Sequence, residues 1–395
     1  MTASPPTSPP DPPPDPPPAS PLPSDNRPAD PRFTDPAPSD RPTDAADDAA
    51  LQAQARLLHA WFLGLQLMVA SRRGPELVGQ WMFRLFRRQH EAKFLSSFDK
   101  LGLTGLPHAV ACARYHVLSN GIGGVAVQYM EESPRKAWVR FRYPRWMFDG
   151  PTLCGVPVEA SRGFLEGWYA HNGVSLRNPR LGFVCVSEDM TGEFGLCGYF
   201  LEHDHDLSPG ERLRFAPGER PPRWDPARQP QPPEAQWSAQ RLRKAARNYA
   251  LEYLRNGIAE LTGLIGPQAT AELAGRSARL IGMQYWRETA ALVGARDGGA
   301  DCAADYLARM LRGMGDDCTV LPGATDSAAV LEQRGLRVLR DIADPAEREL
   351  LWQAWCELWH GALAAHEALP SATLARIDAG GEPGVRWTLV AGIAA

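Results

Sequence analysis

The segment Ser71-Arg72-Arg73-Gly74-Pro75-Glu76-Leu77-Val78 stops one helix and starts another, and the step returns as Leu264-Ile265-Gly266-Pro267-Gln268. Glycine leaves a helix easily. Proline has no N–H to continue one, yet its fixed φ suits the first turn of the next. Upstream of the two steps, Leu51 to Ser71 and Ala239 to Leu264 read as amphipathic helices. Downstream of the first, Leu77, Val78, Trp81, Met82, Leu85 and Phe86 recur at helical spacing, so a second long helix follows. The two Gly-Pro steps lie 192 positions apart, and Gly121-Ile122-Gly123 and Gly313-Met314-Gly315 repeat that offset. A helix ending in Ala170-His171 matches one ending in Ala365-His366 at an offset of 195. A turn at Gly192-Glu193-Phe194-Gly195 matches Gly381-Glu382-Pro383-Gly384 at 189. Four matches in one order, on the same kinds of element, predict two diverged copies of one unit.

Strand signals complete the unit. Gly124 to Tyr129 and Lys136 to Tyr143 read as a hairpin around Ser133-Pro134, and Leu181 to Val186 pairs with Leu196 to Glu202. In the second copy Thr373 to Ile377 and Val385 to Val390 take the closing part. The expected fold class is therefore α+β: two helix-rich domains, each closed by a small antiparallel sheet, preceded by a disordered tail. The expected boundaries are a Pro-rich tail over 1–48, a first domain over 51–206, a Pro-rich linker over 207–237 and a second domain over 238–391. The tail is mostly Pro, Asp, Ser and Ala with Phe33 its only aromatic, too little apolar area to offset the entropy of ordering it.

Composition narrows the function. Of the 395 residues, 44% are hydrophobic and 22% charged, the balance of a soluble globular chain. A net charge of −4 gives no general attraction to nucleic acid or to an anionic membrane. The longest apolar run, Trp61 to Ala70, has ten residues, where a membrane span needs about 20. No secretory leader is read at the N-terminus, and seven dispersed cysteines read as reduced thiols, so a cytoplasmic location is expected. A small-molecule ligand is the expected partner, and a homo-oligomer stays open.

Three groups of residues carry chemistry. Cys154, Cys185 and Cys197 would give zinc two thiolates facing each other across a hairpin and a third from a helix end, with Glu131, Glu132 or His171 as the fourth ligand. The alternative is three small core residues, since no CxxC spacing is present. His171 and His366 each fall on the apolar face of a helix, the first with Phe164 and Trp168, the second with Trp355 and Trp359. The alternative is a core histidine bonded to a backbone carbonyl. In the helix from Gln268 to Val293, Ser277, Gln284 and Glu288 interrupt an inner stripe of Leu273, Leu280, Ile281 and Leu292. A buried Glu288 would have a raised pKa fitting a general base, with Gln284, Trp286, Trp355 and His366 around it. The alternative is a Glu288 paired with an arginine or turned to the surface.

The run Gly282-Met283-Gln284-Tyr285-Trp286-Arg287-Glu288, with Ala372-Thr373-Leu374-Ala375-Arg376-Ile377, resembles the L-2-amino-thiazoline-4-carboxylate hydrolase family. The closing hairpin with Cys185 and Cys197 is similar to the 4-vinyl-reductase domain. These resemblances imply a compact α+β domain around a small-ligand pocket, with zinc-holding cysteines in the second family. Arg386 stands where the first copy has Cys197, so any such metal belongs to the first copy alone. The expected function is a small-molecule hydrolase acting on a C–N or C–S bond, with Glu288 or His366 activating water and Gln284 orienting the substrate. The alternative is a non-catalytic small-ligand sensor or accessory protein.

Overall fold

In the computed structural model both Gly-Pro steps do what their chemistry dictates. Gly74 and Gly266 cap the preceding helices at φ 92° and 82°, and Pro75 and Pro267 open the next. The structure describes residues 45–143, 150–191, 193–233, 237–379 and 382–392. Nearly all of the expected tail, and Gly192 and Gly381 of the two matched turns, lie outside them.

The first half runs α1 (Ala45–Arg73), α2 (Pro75–Lys93), α3 (His108–Ile122), β1 (Val127–Ser133), β2 (Lys136–Phe141), α4 (Val158–Gly167), α5 (Asn172–Ser175), β3 (Leu181–Ser187) and β4 (Cys197–Glu202). A short β5 (Leu213–Phe215) follows, then α6 (Ala239–Ile265), α7 (Pro267–Val293), α8 (Ala300–Met314), β6 (Asp317–Pro322), β7 (Ala328–Arg334), α9 (Pro345–Leu363), β8 (Ser371–Ala379) and β9 (Glu382–Val390). The fold is α+β with two small sheets. One has the order β1-β2-β4-β3-β5, antiparallel except where β5 joins β3 in parallel. The other is wholly antiparallel with the order β6-β7-β9-β8. None of the described helices is long and apolar enough to cross a membrane.

Two features lie beyond what periodicity offered. The β6–β7 hairpin was not expected, because Asp317 to Pro322 is an exposed edge strand with no apolar alternation to announce it. The Pro-rich segment after β4 is docked rather than free. Its β5 joins the first sheet, the Gln229 amide donates to Val127 O at 2.7 Å, and Gln229 Oε1 accepts from Tyr129 N at 3.1 Å.

The helices decide how the halves meet. α1 lies on α7, α8 and α6, while α6 lies on α2 and α1, so each half's first helix covers the other half. Trp61 of α1 donates its indole N–H to Ser277 Oγ of α7 at 3.1 Å, and Trp81 of α2 donates to Gly257 O of α6 at 2.7 Å. Buried residues of both halves form one contiguous core. Within the second half, α7 and α9 meet backbone to backbone. A Cβ at Gly282 would stand 2.0 Å from Leu358 O, and one at Gly361 would stand 2.0 Å from Arg279 O. α2 and α4 meet the same way, where a Cβ on Gly163 would stand 2.3 Å from Gly79 O.

Candidate ligand-binding site

That close helix crossing explains why the α7 site expected from spacing is not assembled. The face of α7 turned to α9 carries Gly275 and Gly282, small enough for the backbones to approach, while the buried Ala274 and Ala278 lie elsewhere on the same inner side. Leu280, assigned to the inner stripe, is 53% exposed. Gln284 and Glu288 are exposed with it, and Glu288 Oε1 accepts from Arg56 Nε at 2.7 Å. The expectation of a buried, proton-transferring Glu288 is therefore corrected to a surface ion pair. Ser277 alone of the three interrupting residues is buried, bonded to Trp61.

His366 is buried, and Trp286 is beside it as expected, ring centroids 4.6 Å apart. Trp355 instead packs against Trp359 at 5.2 Å and Trp61 at 6.5 Å. Neither nitrogen of His366 has a hydrogen bond, and Nδ1 is 3.5 Å from Asp297 Oδ1. Burial lowers its pKa, with Asp297 opposing.

The cysteines also part company. Cys185 packs in the main core and donates to Ser187 O at 3.3 Å, while Cys197 packs on the opposite face of the sheet with Trp138 and Tyr199. Cys185 pairs with Gly198, the neighbour of Cys197, so the pleat turns the two thiols to opposite faces instead of facing each other. Cys154 is exposed. Burial pushes the Cys185 thiol up and the Cys197 thiol up to about 12, away from the thiolate a metal needs. Among the described residues no group of three or more His, Cys, Asp or Glu is placed to hold a metal ion.

The first half contains a different site. A cavity of about 490 Å³ opens between α2, α3, the end of α4 and the α6 helix supplied by the second half. That volume is in the range of small-molecule pockets. Phe86, Phe164 and Trp168 give it an apolar wall, with Phe86 and Phe164 edge to face at 4.5 Å. Gln89 and Lys93, one turn apart on α2, bring polar groups to the same space. Gln89 is only 4% exposed, and its amide has no hydrogen-bond partner among the described residues. Lys93 forms an ion pair with Glu252 of α6. Burial at the wall lowers the Lys93 amine to about 8, while 39% of the side chain stays open to solvent. Next to Glu252, the Tyr249 hydroxyl is 3.0 Å from that of Tyr253 and 3.3 Å from Asn120 Oδ1. At the rim Trp237 donates to Lys100 O at 3.2 Å, with the Arg241 guanidinium 4.6 Å from its ring centre.

His90 and His116 stand edge-on to Trp168, and His171 adjoins His90. His116 also lines the cavity; it stacks on Tyr169 at 3.9 Å and accepts at Nε2 from the Asn172 amide at 3.1 Å. His90 Nε2 meets Ser175 Oγ at 2.8 Å, and the half-buried His171 lies 5.1 Å from the His90 ring. Burial holds all three neutral. His90 falls to about 3, helped by His171 and Arg87, His116 falls well below the usual imidazole value, and His171 falls to about 4 with Arg87 and Arg212 opposing its charge. Of these, sequence reasoning singled out His171 alone. Beyond Phe86, two further turns of α2 carry Gln89, His90 and Lys93 on its apolar face, the same kind of polar interruption that Ser277, Gln284 and Glu288 make on α7.

A second recess of about 740 Å³ lies between the 336–345 segment, the start of α9 and the β8–β9 hairpin. Its arginines are engaged already, since Arg348 donates to Leu339 O and Ile342 O, and Arg376 pairs with Glu349. No family model, curated protein or solved structure matches the chain.

Proposed function

We propose that the protein binds a small organic ligand in the cavity between α2, α3, α4 and α6. The observation that carries this reading is the cavity itself, where an apolar wall, the Lys93–Glu252 ion pair and the Gln89 amide, which bonds to no described residue, open onto one space. A ligand in that space can bond the Gln89 amide while its apolar body rests on the aromatic wall. This is the ligand-binding reading of the sequence rather than the hydrolytic one, because Glu288 and Gln284 face solvent, apart from His366. A small-ligand domain is also what the resemblance to the 4-vinyl-reductase domain implies.

We further infer that the halves descend from a duplicated unit. The orders β1-β2-β4-β3 and β6-β7-β9-β8 are equivalent, and each half runs three helices, a hairpin, a helical segment (α4 and α5 in the first, α9 in the second) and a closing hairpin. Seven free cysteines suit a reducing, cytoplasmic setting. Native mass spectrometry of the purified full chain tests the cavity: a small molecule should accompany the wild type and be lost from Ala245→Phe, whose new ring fills the space. A ligand retained by a folded Ala245→Phe protein would place binding elsewhere.

A further inference from the structure

We propose that Lys93 captures a small aldehyde entering this cavity as an imine held beside Glu252, an inference that rests on the ligand-binding reading above. Three observations lead to it. The first is a residue choice. Of 42 basic residues only four are lysine, Lys93, Lys100, Lys136 and Lys244, and the other 38 are arginine. In a chain that otherwise supplies positive charge with guanidinium, an amine at the wall of a cavity stands out, because an amine can lose its proton and form a bond whereas a guanidinium cannot.

The second observation is the pairing. Glu252 touches the Lys93 ammonium and lines the same cavity. It is placed to take the proton that makes the amine a nucleophile and to return it later. The third is the surrounding wall. Phe86, Phe164 and Trp168 offer an apolar body its place, and the unpartnered Gln89 amide lies one turn from Lys93, where it can donate to the oxygen of the adding carbonyl.

The step balances without any other reagent. The ammonium gives one proton to the Glu252 carboxylate, and the amine attacks the carbonyl carbon, forming the C–N bond. A nitrogen proton passes to the carbonyl oxygen to give the carbinolamine. Glu252 returns its proton to that hydroxyl, the C–O bond breaks, and water leaves. The product is a protonated imine paired with the Glu252 carboxylate. Burial that lowers the Lys93 pKa to about 8 raises the share of neutral amine near neutral pH.

The test is reductive trapping in the full-length protein with phenylacetaldehyde and cyanoborohydride, read by intact mass and peptide mapping. With only four lysines to map, the site is read directly. The expected result is one adduct, at least tenfold more at Lys93 than at Lys100, Lys136 or Lys244. It should be absent from Lys93→Arg, slowed in Glu252→Gln and suppressed in Ala245→Phe. Circular dichroism confirms that each variant is folded, and labelling of Lys93 in an unfolded control confirms that the reagent reaches it. Even labelling of all four lysines, or undiminished labelling of Lys93 in folded Ala245→Phe, overturns the proposal. 2-Phenylethanol, which has no carbonyl, separates this proposal from the reading beneath it. If the alcohol raises the melting temperature of the wild type but not of Ala245→Phe while the aldehyde leaves Lys93 unmodified, the cavity binds ligands and the imine is wrong. If neither compound acts on the cavity, both readings fall.

Discussion

Lowering the pH from 7.5 to 5.5 should destabilise this protein before its ordinary carboxylates titrate, and the buried histidines set the size of the loss. His90 and His116 are 1% and 2% exposed. His90 does not take a proton in the folded state until about pH 3, and His116 only well below its usual range. In the unfolded chain both protonate near 6.5. Below that value the unfolded state binds more protons, so stability falls as the pH falls, and above it the contribution is constant. At pH 5.5 each neutral histidine costs about 1.4 kcal/mol, roughly 3 kcal/mol for the pair. His59 and His171, lowered to about 3 and about 4, act in the same direction. Asp316 opposes them: burial raises its carboxyl to about 6, so folding favours its protonated form as the pH drops. That gain is about 0.8 kcal/mol at pH 5.5, too small to reverse the sign. Urea unfolding at pH 7.5, 6.5 and 5.5 measures the slope. His90→Gln/His116→Gln, which keeps hydrogen-bonding capacity without the titration, should recover roughly 3 kcal/mol of the loss. Equal stability at pH 7.5 and 5.5, or a double variant with the wild-type slope, would refute the claim that these imidazoles are held neutral by burial.

Four other outcomes follow from the packing and the surface. Gly282→Ala forces a methyl against Leu358 O and should cost about 3 kcal/mol in denaturant unfolding, whereas Gly121→Ala, with open space around it, should be neutral or stabilising by under about 1 kcal/mol. Residues 45–206 and 238–392 expressed separately should be insoluble and become soluble when co-expressed, since α1 and α6 each cover the other half; two independently soluble, cooperatively melting pieces would contradict the shared core. Glu288→Gln should change stability by less than about 1 kcal/mol, the worth of a half-exposed ion pair, and leave the Ala245-sensitive ligand in place. Brief iodoacetamide treatment of the native protein should modify Cys154 ahead of Cys185 and Cys197, and a chelator should leave the melting temperature unchanged; a chelator-induced drop would restore the metal reading.

The chain's helix breaks were legible because Gly-Pro chemistry is local: glycine and proline dictate the backbone wherever they stand, so Gly74-Pro75 and Gly266-Pro267 lie where the spacing put them. The inner face of α7 was not legible by the same logic. A leucine stripe marks the face that buries the most apolar area, but this helix turns the side that permits the closest approach, and Gly275 and Gly282 outrank Leu280. The strand pattern placed Cys185 and Cys197 on paired strands correctly, but their register sets Cys185 against Gly198, which turns the two thiols to opposite faces. The cavity needed α6 to cross from the other half, a long-range packing choice that no local period records.

Under the proposed duplication, that crossing also bears on why the first half carries the cavity between α2, α3, α4 and α6. At the offset of 192, the first half's Gln89 and Lys93 become Ile281 and Tyr285, and α6's Tyr249 and Tyr253 answer to Leu57 and Trp61 of α1. Leu57 and Trp61 are fully buried, and Trp61 stacks toward Trp355, so the second half fills with indole the space the first half leaves open. At the offset of 195, Phe164 answers to Trp359, which is larger and completely buried. The polar pair and the empty volume thus disappear together. The α6 helix, packed on α1, α2 and α7, brings Glu252 to Lys93. Enlarging the second half should therefore act on the first. Trp355→Ala opens a void beneath α1 and should cost about 3–5 kcal/mol. It should loosen ligand retention in a cavity it does not touch, read by native mass spectrometry under conditions where the variant is still folded. Ligand retention equal to the wild type in that variant would mean that α6 is positioned by the first half alone.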